Sequence, residues 1–136
     1  LQGVAGSTDL IKVEVVTSVL GKGTGLGQGS VSGRARVAYS SLDIGNFNPG
    51  EILVASRTSA EYIEAIRKAA GVITEDESLT SHAAVIAMRL GVPVIVGVKN
   101  ATQSIRDGAI VTLDTQRGLI YSGTVAGSYT DTALTI

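Results

Sequence analysis

The chain has 136 residues, of which 44% are hydrophobic, 4% are aromatic and none is cysteine, and its formal net charge at pH 7 is −1. This length predicts one domain with a core built mainly from Val, Ile, Leu and Ala, and the absence of cysteine excludes disulfides and thiolate chemistry and is compatible with the cytoplasm. The near-neutral charge argues against nucleic acid and a membrane surface as partners, and no apolar run approaches the ~18 residues of a membrane-spanning helix.

The first forty residues combine two strand patterns with a run of glycines. Residues 1–8 are small and polar, typical of a linker, and because the chain opens with Leu instead of Met we expect a piece of a longer polypeptide. Residues 11–15 alternate apolar and charged side chains, which predicts a half-buried strand, and residues 34–39 predict a second strand with two arginines on one face. Between these strands we expect a flexible connection. Its glycines are Gly21, Gly23, Gly25, Gly27, Gly29 and Gly33.

A first strand–helix pair is predicted over residues 51–70. Residues 51–55 form an apolar strand. Thr58 and Glu61 have the spacing of a capping box, in which the hydroxyl caps the helix and the carboxylate reaches back to the cap. The helix is expected to run to about residue 70 and to end at Gly71. Its buried face is predicted to contain Tyr62, Ile66, Ala69 and Ala70.

The second strand–helix pair contains His82, the only histidine. Residues 71–74 predict a short buried strand, and Thr80 or Ser81 is a suitable N-cap for a helix over residues 83–90 that the following glycine stops. His82 then lies in the first helical turn, where exposed N–H groups and the helix dipole favour an anion and a neutral imidazole. A phosphoryl-accepting histidine requires such surroundings. The alternative interpretation is a histidine that only packs and hydrogen-bonds beside a cap.

The rest of the chain is predicted to be mainly β. Residues 92–96 form an apolar run typical of a strand buried on both faces, and residues 101–105 form a helical turn. A turn at Asp107-Gly108 precedes a hairpin of residues 110–113 and 119–121, and residues from 122 onward are expected to fray. Strands outnumber helices, so the sequence predicts a mixed α/β domain with two to three helices and a compact β region, not a doubly wound parallel sheet.

Familiar site motifs fail on their spacing. Gly21-Lys22 is followed by glycine where a P-loop has Ser or Thr, and the glycines lead into a predicted strand instead of the helix that a dinucleotide fingerprint requires. Residues 75–77 are acidic but lack the spacing of a calcium loop. We therefore prefer a solvated acidic loop over a weak magnesium contact, and we assign no metal-binding residue. Asp107 and Asp114 could complete a Ser-His-Asp triad with His82, but no nucleophile elbow is present.

The segment Leu79-Thr80-Ser81-His82-Ala83-Ala84-Val85 resembles the phosphohistidine swivelling domain of phosphoenolpyruvate-utilising enzymes. In pyruvate phosphate dikinase, phosphoenolpyruvate synthase and enzyme I of the sugar phosphotransferase system, a Gly-Gly-x-Thr-Ser-His-x-Ala-like motif carries the histidine that shuttles a phosphoryl group. The resemblance extends over residues 27–123, including Ser30-x-Ser32-Gly33 and Gly91-x-Pro93-x-Ile95-x-Gly97. It implies the swivelling β/β/α fold, with mixed sheets.

A closer resemblance is to the extra C-terminal domain of some bacterial pyruvate kinases, which residues 73–75, 79–85 and 91–102 match. It implies a linker and the last strand of a preceding regulatory domain at residues 1–20, the swivelling domain at 21–123 and a tail at 124–136. It also implies a cytoplasmic parent enzyme, typically a homotetramer, that makes pyruvate and ATP from phosphoenolpyruvate and ADP in glycolysis. Magnesium and potassium would serve the catalytic barrel domain of that parent, so the isolated chain needs no cofactor and turns over nothing.

The chain departs from the phosphocarrier pattern at two places. Glu77-Ser78 replaces the two glycines that let a backbone approach a phosphate closely, and the acidic residues 75–77 would repel that phosphate. Each such charge within ~6 Å of a phosphate charge would cost about 3 kcal/mol at an effective dielectric of ~20. Phosphocarrier members place an arginine six residues after the histidine, where this chain has Met88; Arg89 is rotated ~100° around the helix.

Three hypotheses follow, of which we prefer the first. In the first, the chain is a structural or regulatory appendage of a pyruvate kinase. In the second, it is an active phosphohistidine carrier, with His82 as the catalytic nucleophile and Thr80, Ser81 and Arg89 around the phosphoryl group. In the third, it is a module that binds a small anion or phosphometabolite. The expected anion-binding residues are Thr80, Ser81, His82, Ala83 and Arg89. The partners expected from the resemblance are the other domains of the parent enzyme.

Overall fold

The computed structural model describes residues 18–27, 29–77 and 82–123. They form eight strands, three helices and two 3-10 turns. The strands are β1 (Val19–Lys22), β2 (Thr24–Leu26), β3 (Ser30–Ala38), β4 (Ile52–Ala55), β5 (Gly71–Thr74), β6 (Val94–Val96), β7 (Ile110–Asp114) and β8 (Leu119–Ser122); the helices are α1 (Ile63–Lys68), α2 (His82–Leu90) and α3 (Ala101–Ser104); the 3-10 turns are Ser41–Ile44 and Ala60–Tyr62. No helix within these residues is long and apolar enough to cross a bilayer.

The long strand β3 belongs to two sheets. Its first half, Ser30–Arg34, pairs antiparallel with β7, and its second half, Ala35–Ala38, pairs parallel with β4. The strand order is β1-β8-β7-β3-β4-β5-β6-β2, in which β3 to β6 run parallel and the other pairs are antiparallel. One strand therefore joins an antiparallel sheet to a mainly parallel one.

The parallel strands are buried on both faces because each face carries its own core. Leu53 and Ala55 of β4 face a cluster that contains buried residues of α1 and α2, such as Ile66. Ile52 and Val54 face the opposite way, into a cluster with residues of β7, β8 and α3. Burial on both sides explains why β4, β5 and β6 read as continuous apolar runs. The layers are sheet, sheet and helices, which confirms the predicted swivelling β/β/α class.

A corner between the two sheets is built from glycine. Gly23 separates β1 from β2, and its N–H donates to the carbonyl of Gly118 at 2.8 Å. A Cβ on Gly23 would overlap the carbonyl oxygen of Val96, and a Cβ on Gly25 would overlap that of Thr115. The expected flexible connection is therefore wrong for Gly21, Gly23 and Gly25, because these glycines lie within or between strands and allow two backbones to touch.

The glycine corner also closes the sheet. β1 is at one end of the strand order and β2 is at the other, yet only Gly23 separates them in the chain. β3 joins the two sheets on the opposite side. The two ends of the strand order are therefore linked through one residue, and the described strands close on themselves.

The predicted first helix differs from the observed one at both ends. Ser59, not Thr58, precedes the 3-10 turn, and neither the cap of that turn nor the cap of α1 has a side-chain hydrogen bond, so the predicted capping box is wrong. A capping box exists instead at Ser40 and Asp43. α1 ends at Lys68 because Ala69 is already extended where the chain turns into β5. Tyr62, Ile66 and Ala69 are buried as predicted, whereas Ala70 is only partly buried.

Most other predicted elements are confirmed. β6, α3 and the β7–β8 hairpin lie where the patterns placed them, α2 ends at Gly91, which has a positive φ of 76°, and β3 begins four residues earlier than expected. The predicted linker at residues 1–8, the strand at 11–15 and the tail at 124–136 lie outside the described residues.

The glycine corner predicts a large effect of one methyl group. Gly25→Ala should lower the free energy of unfolding by about 3 kcal/mol, because the new Cβ would overlap a backbone carbonyl that cannot withdraw. Thr115 is held in place by a hydrogen bond of 2.8 Å from its hydroxyl to the carbonyl of Gly29. Urea unfolding followed by circular dichroism measures the change.

Gly45→Ala is the matched control for Gly25→Ala. Gly45 has a φ of −60°, and its Cβ would meet nothing closer than 3.9 Å. Alanine should therefore leave the stability unchanged or raise it by up to about 1 kcal/mol. Equal stabilities of the two variants would contradict the close approach at the corner.

Candidate functional site

The carboxyl ends of β3, β4, β5 and β6 meet at one edge of the parallel sheet. Parallel α/β sheets often bind ligands beyond the carboxyl ends of their strands. The loops that leave β4 and β5 are tied together there, since Glu75 N–H donates to Ala55 at 3.1 Å and Asp76 N–H donates to Ser56 at 2.9 Å. The loop after β5 leads to α2, so the first residue of α2 and the loop after β4 belong to the same edge.

His82 is the first residue of α2. The predicted position of its backbone at the start of a helix is thus found in the structure. Thr80 and Ser81 lie outside the described residues, as do the side chains of His82 and Ala83. Arg89 is exposed in the last turn of α2, about 10 Å along the helix axis from His82 at ~1.5 Å per residue. The structure does not bring Arg89 into the first turn.

Glu75 is held on α3 by a set of hydrogen bonds. Its Oε2 accepts the N–H of Thr102 at 2.9 Å and the hydroxyl of Thr102 at 2.8 Å, and the Ser56 hydroxyl donates to the same carboxylate. Burial by itself raises the pKa of Glu75, but these hydrogen bonds outweigh burial and hold the pKa below its usual value. One of the three acidic residues before α2 therefore serves to attach the loop to α3.

Tyr39 extends this network to the end of β3. Its hydroxyl donates to the carbonyl of Thr102 at 3.0 Å, although 73% of the residue is exposed. The hydrogen bond fixes the ring against the sheet edge while one side stays open to solvent. Tyr39, Thr102, Glu75 and Ser56 thus form a continuous polar chain that connects β3, α3 and the loops after β4 and β5.

A cleft of about 300 Å³ opens beside this chain. The segment between β4 and the second 3-10 turn forms one wall, and residues at the end of β3 form the other. The cleft is lined by Ala38, Tyr39, Ser56, Arg57, Thr58, Ser59, Glu61 and Tyr62. The sequence analysis missed this cleft. Its available signal was the polar run Ser56-Arg57-Thr58-Ser59 directly after a buried strand.

Two groups in the cleft have no partner among the residues that the structure describes. Thr58 Oγ1 is sealed from solvent and has no hydrogen-bond partner among the residues that the structure describes. Arg57 is exposed, and no described carboxylate lies within ion-pair distance of it. A buried hydroxyl without a partner is unfavourable by about 1–3 kcal/mol, so its presence at a cleft indicates a group that a ligand can satisfy.

The cleft also contains a negatively charged side chain, that of Glu61. Glu61 accepts a hydrogen bond from Ser59 at 3.5 Å. Burial raises the pKa of Tyr62, and the nearby Asp43 and Glu61 carboxylates raise it further. The phenol therefore stays neutral and can act as a hydrogen-bond donor at physiological pH.

The described residues contain no group of three or more His, Cys, Asp and Glu side chains that could hold a metal ion. The acidic residues after β5 do not form such a group because Glu75 is directed to Thr102. Divalent cations therefore have no evident set of ligands in this part of the chain.

The layered fold, with a histidine as the first residue of the helix after the third parallel strand, is that of the swivelling domains found in phosphohistidine enzymes. The family described as PEP-utilising enzyme, mobile domain, matches residues 47–118, and the chain belongs to this family. The matched span includes β4, β5, β6 and α2, and it includes the cleft wall from Ser56 to Tyr62.

Relatives with known names are much longer than this chain. It is 69% identical over 123 residues to pyruvate kinase 2 of Synechocystis, covering 90% of this chain and 21% of the relative. It is 46% identical over 125 residues to a pyruvate kinase of Lactobacillus delbrueckii, again covering 21% of the relative. The solution structure of an enzyme I protein superposes with a TM-score of 0.53 at 20% identity, over 68% of this chain and 39% of that one, which supports the fold.

Two threonines at the sheet edge should respond oppositely to the loss of a hydroxyl. Thr102→Val should lower the free energy of unfolding by about 1–2 kcal/mol, because the hydroxyl donates to the Glu75 carboxylate. Thr58→Val replaces the same hydroxyl by the same methyl group. It should leave the free energy of unfolding unchanged or raise it by up to about 1 kcal/mol, because the Thr58 hydroxyl has no described partner. Urea unfolding compares the two variants, and equal losses would contradict the assignment of Thr58 Oγ1 as unpartnered.

The Glu75 network should also make stability depend on pH. The folded-state pKa of Glu75 lies below 4.5, so its stabilisation is complete above about pH 4.5 and is lost as pH falls through the lower folded-state pKa. Glu75→Gln should therefore be less stable than the wild type at pH 7 by about 1–2 kcal/mol and approach it in acid. Urea unfolding between neutral and acidic pH measures the difference; a gap that widened in acid would refute the network.

Proposed function

We propose that the chain is a structural or regulatory extension of a pyruvate kinase and does not itself carry out catalysis. The observation that carries this proposal is the match of nearly the whole chain to about a fifth of each pyruvate kinase. The parent enzyme would transfer the phosphoryl group of phosphoenolpyruvate to ADP in the cytoplasm. Its other domains would be the partners of this one, and the assembly would be a homotetramer.

The catalytic machinery of the parent would lie on those other domains. Magnesium and potassium, which pyruvate kinases use, would be bound there together with ATP and ADP. This domain would pack against the rest of the parent enzyme, and its sheet edge would offer a surface that a ligand or a neighbouring domain can bind.

His82 is proposed to retain its place in the fold without efficient phosphoryl transfer. Glu77 is exposed close to Gly97, and it occupies a position where carrier domains have glycine. Met88 occupies the position of the carrier arginine, and it is half exposed on α2. A phosphoryl group on His82 would therefore meet added negative charge and lack its usual cation, which favours an appendage over a carrier.

A weaker anion site at the start of α2 remains compatible with this role. Its proposed residues are Thr80, Ser81, His82, Ala83 and Arg89. α2 is nine residues long, and the N–H groups at the start of a helix carry the partial positive charge that attracts an anion. Arg89 lies at the far end of the helix, so the first turn would contribute most to anion binding.

The proposed function predicts no phosphohistidine and no activity of the isolated chain. Incubation of the parent enzyme and of the 136-residue chain with radiolabelled phosphoenolpyruvate should give no acid-labile, base-stable label that His82→Ala removes. Pyruvate formation should require the parent, and it should survive both His82→Ala and deletion of this domain. Label on His82 would favour the carrier, and loss of all activity in folded His82→Ala enzyme would refute a non-catalytic role.

A further inference from the structure

We propose that the cleft between the ends of β3 and β4 binds a small phosphate monoester that carries free hydroxyl groups, with Arg57 and Thr58 as the phosphate ligands. The proposal goes beyond the role of His82 and does not depend on it. It rests on two unpartnered polar groups, on the mixed charge of the cleft and on its size.

The phosphate end is indicated by Arg57 and Thr58. Arg57 has no ion pair with a described carboxylate. A guanidinium is the side chain best suited to phosphate, since it offers several N–H donors in one plane. Thr58 is the adjacent residue, and its buried hydroxyl lacks a described partner although it lines the same cleft. On binding, the Thr58 side chain would rotate to bring its sealed hydroxyl to the cleft, where a phosphate oxygen held by Arg57 would accept its hydrogen bond.

The ester part is indicated by the groups of opposite character. Glu61 is an acceptor and would repel a bare anion, whereas it would accept hydrogen bonds from the hydroxyls of a polyol or sugar. The hydroxyls of Ser56 and Ser59 donate to Glu75 and Glu61, so they can accept hydrogen bonds from a ligand. The open ring of Tyr39 adds an apolar surface for carbon atoms. Inorganic phosphate alone would use only half of this cleft.

The size and place of the cleft fit such a ligand. A volume of about 300 Å³ is at the lower end of small-molecule sites, which suits a few carbons and one phosphate. The cleft also lies beside the Tyr39–Thr102–Glu75–Ser56 chain. A ligand that contacts Ser56 and Tyr39 would therefore touch both ends of the network that attaches the loop before α2.

The test is a titration of the isotope-labelled 136-residue chain with glycerol 3-phosphate at constant ionic strength, followed by amide NMR shifts. We expect saturable shifts at residues 39 and 56–59. Arg57→Gln should weaken binding about tenfold and Thr58→Val about fivefold, which correspond to losing a charge-assisted and a neutral hydrogen bond. Arg67→Gln is the matched control and should bind like the wild type, because Arg67 is exposed on α1 and pairs with Glu64 at 3.9 Å.

Two further probes define the chemical class. Glycerol should give no saturable shift, and inorganic phosphate should bind the same residues more weakly than the ester. Equal binding of phosphate and ester would overturn the hydroxylated-ester class, and shifts confined to the first turn of α2 would overturn the cleft while leaving the proposed function intact. No saturable shift at residues 56–59 up to tens of millimolar ester would also overturn it. Failure of the proposed function would appear only in the labelling and activity assays.

Discussion

The close contact of backbones at the glycine corner is the constraint on which the rest of the structure depends. Gly23 and Gly25 place the strand that joins the two sheets directly against Val96 and Thr115. With a side chain at either position, β1 and β2 could not occupy the two ends of one strand order. Closure of the sheet fixes the parallel strands between two cores, and so it fixes the edge at which their carboxyl ends meet.

That edge is held rigid by polar contacts that the hydrophobic core cannot provide. Glu75 attaches the loop after β5 to α3, and Tyr39 attaches the end of β3 to the same helix. Hydrogen bonds to a carboxylate are stronger than those between neutral groups, which explains why a partly buried charge remains at this position. The cleft next to it has a fixed outline because both of its walls are tied to the sheet.

The position of His82 in the fold does not depend on whether its side chain reacts. α2 still begins at His82, so the fold alone preserves the place that a phosphohistidine occupies. By the resemblance, Glu77 and Ser78 lie where carrier domains have two glycines, and Met88 lies where they have an arginine. A fold in which the helix packs through Ala84 and Ala87 keeps its geometry whether or not the histidine reacts.

The sequence by itself determined the elements whose signal is local. The apolar runs of β4 to β6, the helix after residue 81 and the β7–β8 hairpin follow from periodicity and turn residues, because those patterns reflect the immediate surroundings of each side chain. The motif around His82 was readable for the same reason. Only the tertiary structure decided the surroundings of Gly23, Thr58 and Arg57. A glycine in close contact and a glycine in a loose loop look alike until the second backbone is present. Likewise, Thr58 has the spacing of a helix cap, and only the folded chain shows that its hydroxyl is sealed from solvent beside the cleft.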